Sequence, residues 1–190
     1  MNNTTKKMVI GGGCFWCTEA MFQQLKGVLQ VVSGYAGGSA ETADYETVCS
    51  GKTKHAEVVE VRYDPTQISY EELLKIHFAT HDPTTLNRQG NDKGPQYRSA
   101  IFYANAEEEA TAQRLIDDFA PTLYDDPIVT TLEPLVEFFP GEDYHQNYLN
   151  RVGDRNPYCS FVVKPKVAKF RKQFADRLAP DASQPTTLGS

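Results

Sequence analysis

The stretch Met8-Val9-Ile10-Gly11-Gly12-Gly13-Cys14-Phe15-Trp16-Cys17-Thr18-Glu19 decides how this chain is read. Met8-Val9-Ile10 reads as a short strand. The three glycines let the backbone turn sharply and let another group come close. Residues 15–25 then read as a helix closed by Gly27. Cys14 falls at the first helical turn, where unpaired N–H groups and the positive end of the helix dipole favour an anion, so the position predicts a stabilised thiolate. Cys17 follows one turn later on the same face. A thiol poised to ionise, with a second thiol in reach, is a redox constellation. The plainer alternative is two small apolar residues buried near a helix start, since free cysteine is often buried and inert.

Working outward, residues 28–35 read as a strand, and Asp44 is placed to cap a short helix that Gly51 ends. Residues 56–63 give the clearest strand. Their alternation puts Glu57 on the same face as Val59, Val61 and Tyr63, with Val58, Glu60 and Arg62 on the other. A carboxyl that continues an apolar face is partly desolvated, and its pKa rises as a general acid requires. A strand-end Glu that simply reaches water is the competing reading. Ser69 and Glu72 fit a capping box and open a helix whose stripe is Tyr70, Leu73, Leu74 and His77, stopping near Asp82-Pro83.

Residues 81–97 form a long polar segment of the length that is usually functional or disordered. Its Tyr97, like Tyr45 in the earlier loop, is a phenol among small residues. Residues 99–103 and 127–132 read as strands, and 142–151 as a helix. Phe161-Val162-Val163 is a last apolar run with Cys159 just before it, and 166–178 is a basic amphipathic helix with a solvated face. The polar tail, 179–190, reads as disordered.

These elements fit one catalytic domain over residues 1–178, with a core at about 7–172, in a chain of 190 residues. A net charge of −6 argues against nucleic acid as a partner. No apolar run approaches the ~20 residues of a membrane span, and none before the glycines suits a secretion signal, so a cytoplasmic protein is expected. Four cysteines in a reducing compartment point to catalysis or metal. His55-Ala56-Glu57 and Cys14-x-x-Cys17 supply the parts of a zinc deaminase, but in reversed order and without the proline before the first cysteine. A zinc-stabilised binding module, with Cys49 or Cys159 as a further ligand, and a general thiol–disulfide oxidoreductase are therefore the competing functions.

The ordered motifs Gly13-Cys14-Phe15-Trp16-Cys17-Thr18-Glu19, Gly34-Tyr35-Ala36-Gly37-Gly38, His55-Ala56-Glu57, Arg88-Gln89-Gly90-Asn91-Asp92, Gln96-Tyr97-Arg98-Ser99, Asp143-Tyr144-His145-Gln146 and Asn156-Pro157-Tyr158-Cys159 resemble the A-type peptide methionine sulfoxide reductases from residue 11 to about 172. The resemblance implies an α/β (α+β) two-layer sandwich related to the ferredoxin-like arrangement, with an irregular C-terminal region and neither metal nor organic cofactor. It implies reduction of the S epimer of methionine sulfoxide, free or in proteins, recycled by thioredoxin or a small thiol. Carried over by position, Cys14 is the nucleophile, and Phe15 and Trp16 hold the substrate methyl group. Glu57, Tyr45 and Tyr97 bind the sulfoxide oxygen, with Glu57 giving it a proton, and Asp92 helps build the site. Cys17 and Cys159 are the candidate resolving thiols, while Cys49 is expected to be structural. Lys54 and Pro95 stand where the family often has Gly and Thr.

Overall fold

The computed structural model describes residues 4–180. Its strands and helices alternate as β1 (Lys6–Gly11), α1 (Phe15–Phe22), β2 (Val28–Ala36), α2 (Tyr45–Cys49), β3 (Ala56–Tyr63), α3 (Tyr70–Thr80), β4 (Arg88–Gln89), β5 (Asp92–Lys93), β6 (Ala100–Tyr103), α4 (Ala106–Arg114), β7 (Thr131–Pro134), β8 (Phe138–Pro140), α5 (Tyr148–Val152) and α6 (Lys164–Gln173). The main sheet runs β7-β6-β1-β3-β2-β8, and the four inner strands pair antiparallel. Read as β1-α1-β2 and β3-α3-β6, this is two interleaved βαβ units, the ferredoxin-like order. Only β7 adds in parallel, beside β6.

Each strand of the sheet divides its side chains between two faces. Met8 and Ile10 of β1, Val59, Val61 and Tyr63 of β3, and Ile101 of β6 form the larger core with Phe22, Leu73, Leu74, Phe78, Val163 and Phe170 from the helices. Val9, Ala36, Ala56, Val58, Ala100 and Phe102 form a smaller core on the opposite face, under Leu135 and Phe138. The helix layer thus covers one side of the sheet, and irregular chain covers the other.

Local chemistry sets the element ends. Asp44 Oδ1 accepts from the Thr47 N–H at 3.0 Å and Ser69 Oγ from the Glu72 N–H at 3.1 Å. Helix α1 stops at Phe22, short of residue 25, and Gly27 takes a φ of +93° in the turn to β2.

Several expected elements move. The strand expected at 127–132 begins at Thr131, because the Val129 N–H is taken by the Pro83 carbonyl at 2.8 Å rather than by a sheet neighbour. The helix expected at 142–151 splits into a turn, Asp143–His145, and α5, because Asn147 sits in the left-handed region at φ +53°. The apolar run Phe161-Val162-Val163 falls in a wide π-helical turn, Cys159–Val163, that runs straight into α6. Helix α6 ends at Gln173, and the chain then crosses back to the α1–β2 turn, where the Lys26 N–H meets Arg177 O and the Ala179 N–H meets Gln24 O, each at 2.8 Å. The segment expected to be a tail is therefore anchored at its start. The rest of it, 181–190, lies outside the described residues.

Candidate active site

The glycine turn after β1 places Cys14 as the N-cap of α1, in extended conformation (φ −60°, ψ 126°) and buried. The turn is held tightly from below. A Cβ on Gly12 would lie 2.9 Å from the His77 ring and 3.0 Å from that of His81, and a Cβ on Gly13, at φ +92°, would lie 2.6 Å from Gln89 Cγ. Gln89 is itself fixed by a hydrogen bond from the Asp82 N–H at 2.9 Å and one to Asp82 O at 3.0 Å. Bare backbone is required here for the loop before Cys14 to lie on these side chains.

Glu57, at the leading end of β3, is 2 % exposed on the helix-covered face, as its alternation with Val59 and Val61 demands. Its Oε1 accepts the Phe15 N–H at 3.2 Å. Burial pushes its pKa up to about 8, the Phe15 hydrogen bond opposes this, and the charges of Asp92 and Cys17 add to the rise. The first N–H of the helix is thus spent on a carboxyl.

That changes the expectation for Cys14. Burial raises its thiol well above the ordinary value, and the hydrogen bond to Cys17 and the Glu57 charge push the same way. Burial thus works against the stabilised thiolate expected at a helix start. The Cys17 thiol is lowered instead, chiefly by the hydrogen bond from Cys14. Cys14 lies just outside the helical geometry, and its thiol is hydrogen-bonded to that of Cys17 one turn on.

Aromatic rings enclose this centre. Phe15 is 1 % exposed and packs on Tyr35, Tyr45 and His145, with ring centroids 5.7, 6.4 and 5.1 Å away. Trp16 is half-buried and stacks on Tyr148 at 3.8 Å and 4°. Its Nε1–H donates to His145 Nδ1 at 3.1 Å. Tyr45 opens α2, and its phenol is hydrogen-bonded to the Cys49 thiol. Tyr97 ends a turn, Pro95–Tyr97, which Arg98 clamps by donating to Pro95 O, to Lys54 O and in bidentate fashion to Glu133. The two positions that depart from the family pattern, Lys54 and Pro95, thus serve through their carbonyls. Burial raises both phenols, and Glu57 adds its charge to each, so they are donors at neutral pH.

Asp92 lies on the short β4–β5 ladder opposite Gln89, and its Oδ2 accepts from Tyr158 Oη at 2.6 Å. Tyr158 also hydrogen-bonds to the Cys17 thiol. Cys159, the next residue, is fully buried, and its pKa is raised by burial and by the charge of Cys17. The structure therefore brings Cys14, Cys17, Glu57, Tyr45, Tyr97, Phe15, Trp16 and Asp92 around one centre, with Cys159 behind Cys17. His55 turns away from it: Nδ1 accepts the Gly38 N–H at 3.2 Å and Nε2 faces Ser39 O at 2.8 Å.

Residue-by-residue reading gave no role to His145, Tyr148, Tyr158 or Glu19. Glu19 is 1 % exposed and accepts from Ser33 Oγ at 3.2 Å and the Tyr148 N–H at 3.1 Å, tying α1 to β2 and to the C-terminal segment. Its place one turn after Phe15 on a buried helix was the available signal. The crowding of tyrosine and histidine over residues 144–158 was the signal for the others.

The model of the family described as "Peptide methionine sulfoxide reductase" matches residues 6–178. Two relatives named "Peptide methionine sulfoxide reductase MsrA" are similar over most of their lengths. The one from Ralstonia nicotianae is 57 % identical over 175 residues, covering 90 % of this chain and 91 % of the relative. The one from Chromobacterium violaceum is 53 % identical over 174 residues, covering 91 % and 98 %. The solved methionine sulfoxide reductase A of Corynebacterium diphtheriae superposes with a TM-score of 0.74 at 38 % identity, covering 83 % of this chain and 77 % of that one. With a thiol pair, a buried carboxyl and an aromatic wall meeting where the sequence motifs cluster, the chain belongs to the peptide methionine sulfoxide reductase family.

Proposed function

We propose that Cys14 is the nucleophile with which this methionine sulfoxide reductase takes oxygen from the S epimer, free or within proteins, and that Glu57 is the general acid. The observation that carries this reading is the Glu57 carboxyl, buried with a pKa of about 8 and hydrogen-bonded to the residue after Cys14. A carboxyl that stays protonated at neutral pH can give its proton to a sulfoxide oxygen, which makes the substrate sulfur electrophilic. The phenols of Tyr45 and Tyr97, both protonated, donate to the same oxygen as charge develops on it. Phe15 and Trp16 receive the methyl group and exclude water.

The net step moves one oxygen from substrate sulfur to Cys14 sulfur. The thiol is oxidised by two electrons to a sulfenic acid, and the sulfoxide is reduced to methionine. The proton that Cys14 loses replaces the one that Glu57 gives up. The Cys17 thiol, lowered by its contact with Cys14, then attacks the sulfenic acid, forming the S–S bond and releasing water. Cys159 next exchanges into this disulfide from behind Cys17. Thioredoxin, or a small thiol, restores the dithiols by further exchange. All electrons come from thiols, which suits a single catalytic domain working in the cytoplasm.

Single-turnover reaction of fully reduced protein with each epimer separately, without added reductant, tests the scheme. With one equivalent of sulfoxide per chain, one methionine from the S epimer alone, with two thiols lost, is expected. Loss of a single thiol would remove the resolving roles of Cys17 and Cys159. No methionine from either epimer would overturn the assignment of Cys14 and Glu57.

A further inference from the structure

Lys166 lies on the inward side of α6. It follows Val163 by three residues and precedes Phe170 by four, so it shares the face that these two bury against the core. Its side chain is half-buried, and it makes no ion pair or hydrogen bond among the described residues. A lysine is seldom drawn inward without a partner.

The side chain opens onto a cavity of about 300 Å³ whose walls include Met21 of α1, Thr80 and His81 at the end of α3, Gln89 of β4 and Phe170. Met21 lies four residues after Cys17 on the same face of α1, so Lys166 faces the side of the helix that carries this thiol. Gln89 is the side chain on which Gly13 rests. The cavity thus adjoins both the turn before Cys14 and the helix of Cys17. Its other ionisable groups are committed, neutral or in solvent. Asp82 Oδ1 accepts the Thr84 N–H at 2.9 Å. Burial lowers His81 to about 4, which leaves that imidazole neutral at pH 7. Lys169 stands exposed at the rim.

The groups that face the Cys17 thiol are Cys14 at the helix start, Glu57 of β3, Asp92 of β5, Tyr158 and Cys159 ahead of α6, and Lys166. Lys166 alone among them is positive. The hydrogen bond from Cys14 lowers the Cys17 thiol most, burial opposes it, the Lys166 charge lowers it further, Asp92 raises it and the Tyr158 hydrogen bond lowers it. The largest of these aids does not last through the reaction. Once Cys14 carries oxygen, the S–H that donated to Cys17 is gone. The Tyr158 hydroxyl has one proton, and Asp92 Oδ2 accepts it at 2.6 Å. The charge of Lys166 is what persists when Cys17 must attack.

We propose that Lys166 is a positioning residue for the resolving step: its ammonium, held beside α1 from α6, supports the negative charge that Cys17 carries into its attack on the Cys14 sulfenic acid. This rests on Cys17 being the first resolving thiol. In that step the Cys17 sulfur bonds to the Cys14 sulfur and the S–O bond breaks. The oxygen leaves as water, with its own proton and the one that Cys17 gave up. Lys166 keeps its proton throughout.

The test follows methionine formation and loss of the second thiol separately, in single turnover with one equivalent of the S sulfoxide per chain and no added reductant. Lys166→Arg, Lys166→Met and Lys166→Glu are compared with the parent. Methionine formation is expected to match the parent in all three, which also shows that they fold. Thiol loss at pH 7 is expected to slow about tenfold in Lys166→Met, to slow further in Lys166→Glu, and to recover in Lys166→Arg. The pH midpoint of thiol loss, taken from its delay after methionine formation, is expected to rise in Lys166→Met. A packing role would not follow the sign of the charge or move that midpoint. Parent-like thiol loss in both Lys166→Met and Lys166→Glu would overturn the proposal. So would a Lys166→Arg variant as slow as Lys166→Met, or methionine formation slowed by the same factor as thiol loss. Failure of the underlying reading shows separately: a Cys17→Ser variant that still loses two thiols per methionine at the parent rate would assign the resolving role elsewhere.

Discussion

Glu57→Gln is expected to make this protein slower and, in alkaline solution, more stable. The substitution keeps an oxygen to accept the Phe15 N–H, seen at 3.2 Å from Oε1, and changes volume little. In the proposed mechanism it removes the proton given to the sulfoxide oxygen, and loss of a positioned general acid costs about 10²- to 10⁴-fold in rate. The stability effect follows from the same burial. In the unfolded chain the carboxyl ionises near its ordinary value of 4.5, whereas in the folded protein it holds its proton up to about 8. Below pH 4.5 both states are protonated, and the group contributes no difference. Between 4.5 and 8 the unfolded state gives up the proton first, so the folded state loses stability as pH rises. Above 8 the loss is constant. At 1.36 kcal/mol per pH unit over that gap, the limiting cost is about 5 kcal/mol. Urea denaturation of parent and variant at pH 5 and pH 9 reads the difference directly: near-equal stabilities at pH 5, with the variant ahead by several kcal/mol at pH 9. In the parent, single-turnover kcat/KM is expected to fall about tenfold per pH unit above 8. A variant no more stable at pH 9 than its parent, or a parent rate flat through pH 8, would refute the buried neutral carboxyl.

Two further expectations concern groups that act through position. Gly13→Ala requires a Cβ 2.6 Å from Gln89 Cγ at a φ of +92°. It should destabilise the fold by about 1–3 kcal/mol and slow sulfenic acid formation, read by denaturation and by the methionine burst. Tyr158→Phe removes the hydrogen bonds to Asp92 and to the Cys17 thiol. Methionine formation should stay near the parent rate while loss of the second thiol slows several-fold, and equal effects on both steps would count against the placing of Tyr158 beside the resolving thiol.

Local pattern decided a great deal. The glycine turn before Cys14, the caps Asp44 and Ser69, and the parity of residues 56–63 each follow from neighbours a few positions away, and each is found where the sequence puts it. Glu57 was legible for that reason: alternation along a strand is a local rule, and it sends residue 57 to the same side as Val59 and Val61 whatever the rest of the fold does.

The direction in which the Cys14 thiol shifts was not legible. The rule that a helix N-terminus favours an anion concerns the helix alone. In the folded protein, Glu57 arrives from 42 residues away to occupy the first N–H, and burial among Phe15, Tyr45 and the strands raises Cys14 instead of lowering it. The same holds for His145 and Tyr148, which reach Trp16 across 129 and 132 positions. Their roles depend on where Asn147 turns the chain into the left-handed region and on how the C-terminal segment crosses α1. The sequence alone determined the glycine turn that ends in Cys14, the caps at Asp44 and Ser69 and the face that Glu57 occupies, because those depend on contacts within a turn or a strand. Only the tertiary structure decided which group holds the proton and which rings close the pocket, because desolvation and long-range packing belong to the assembled core.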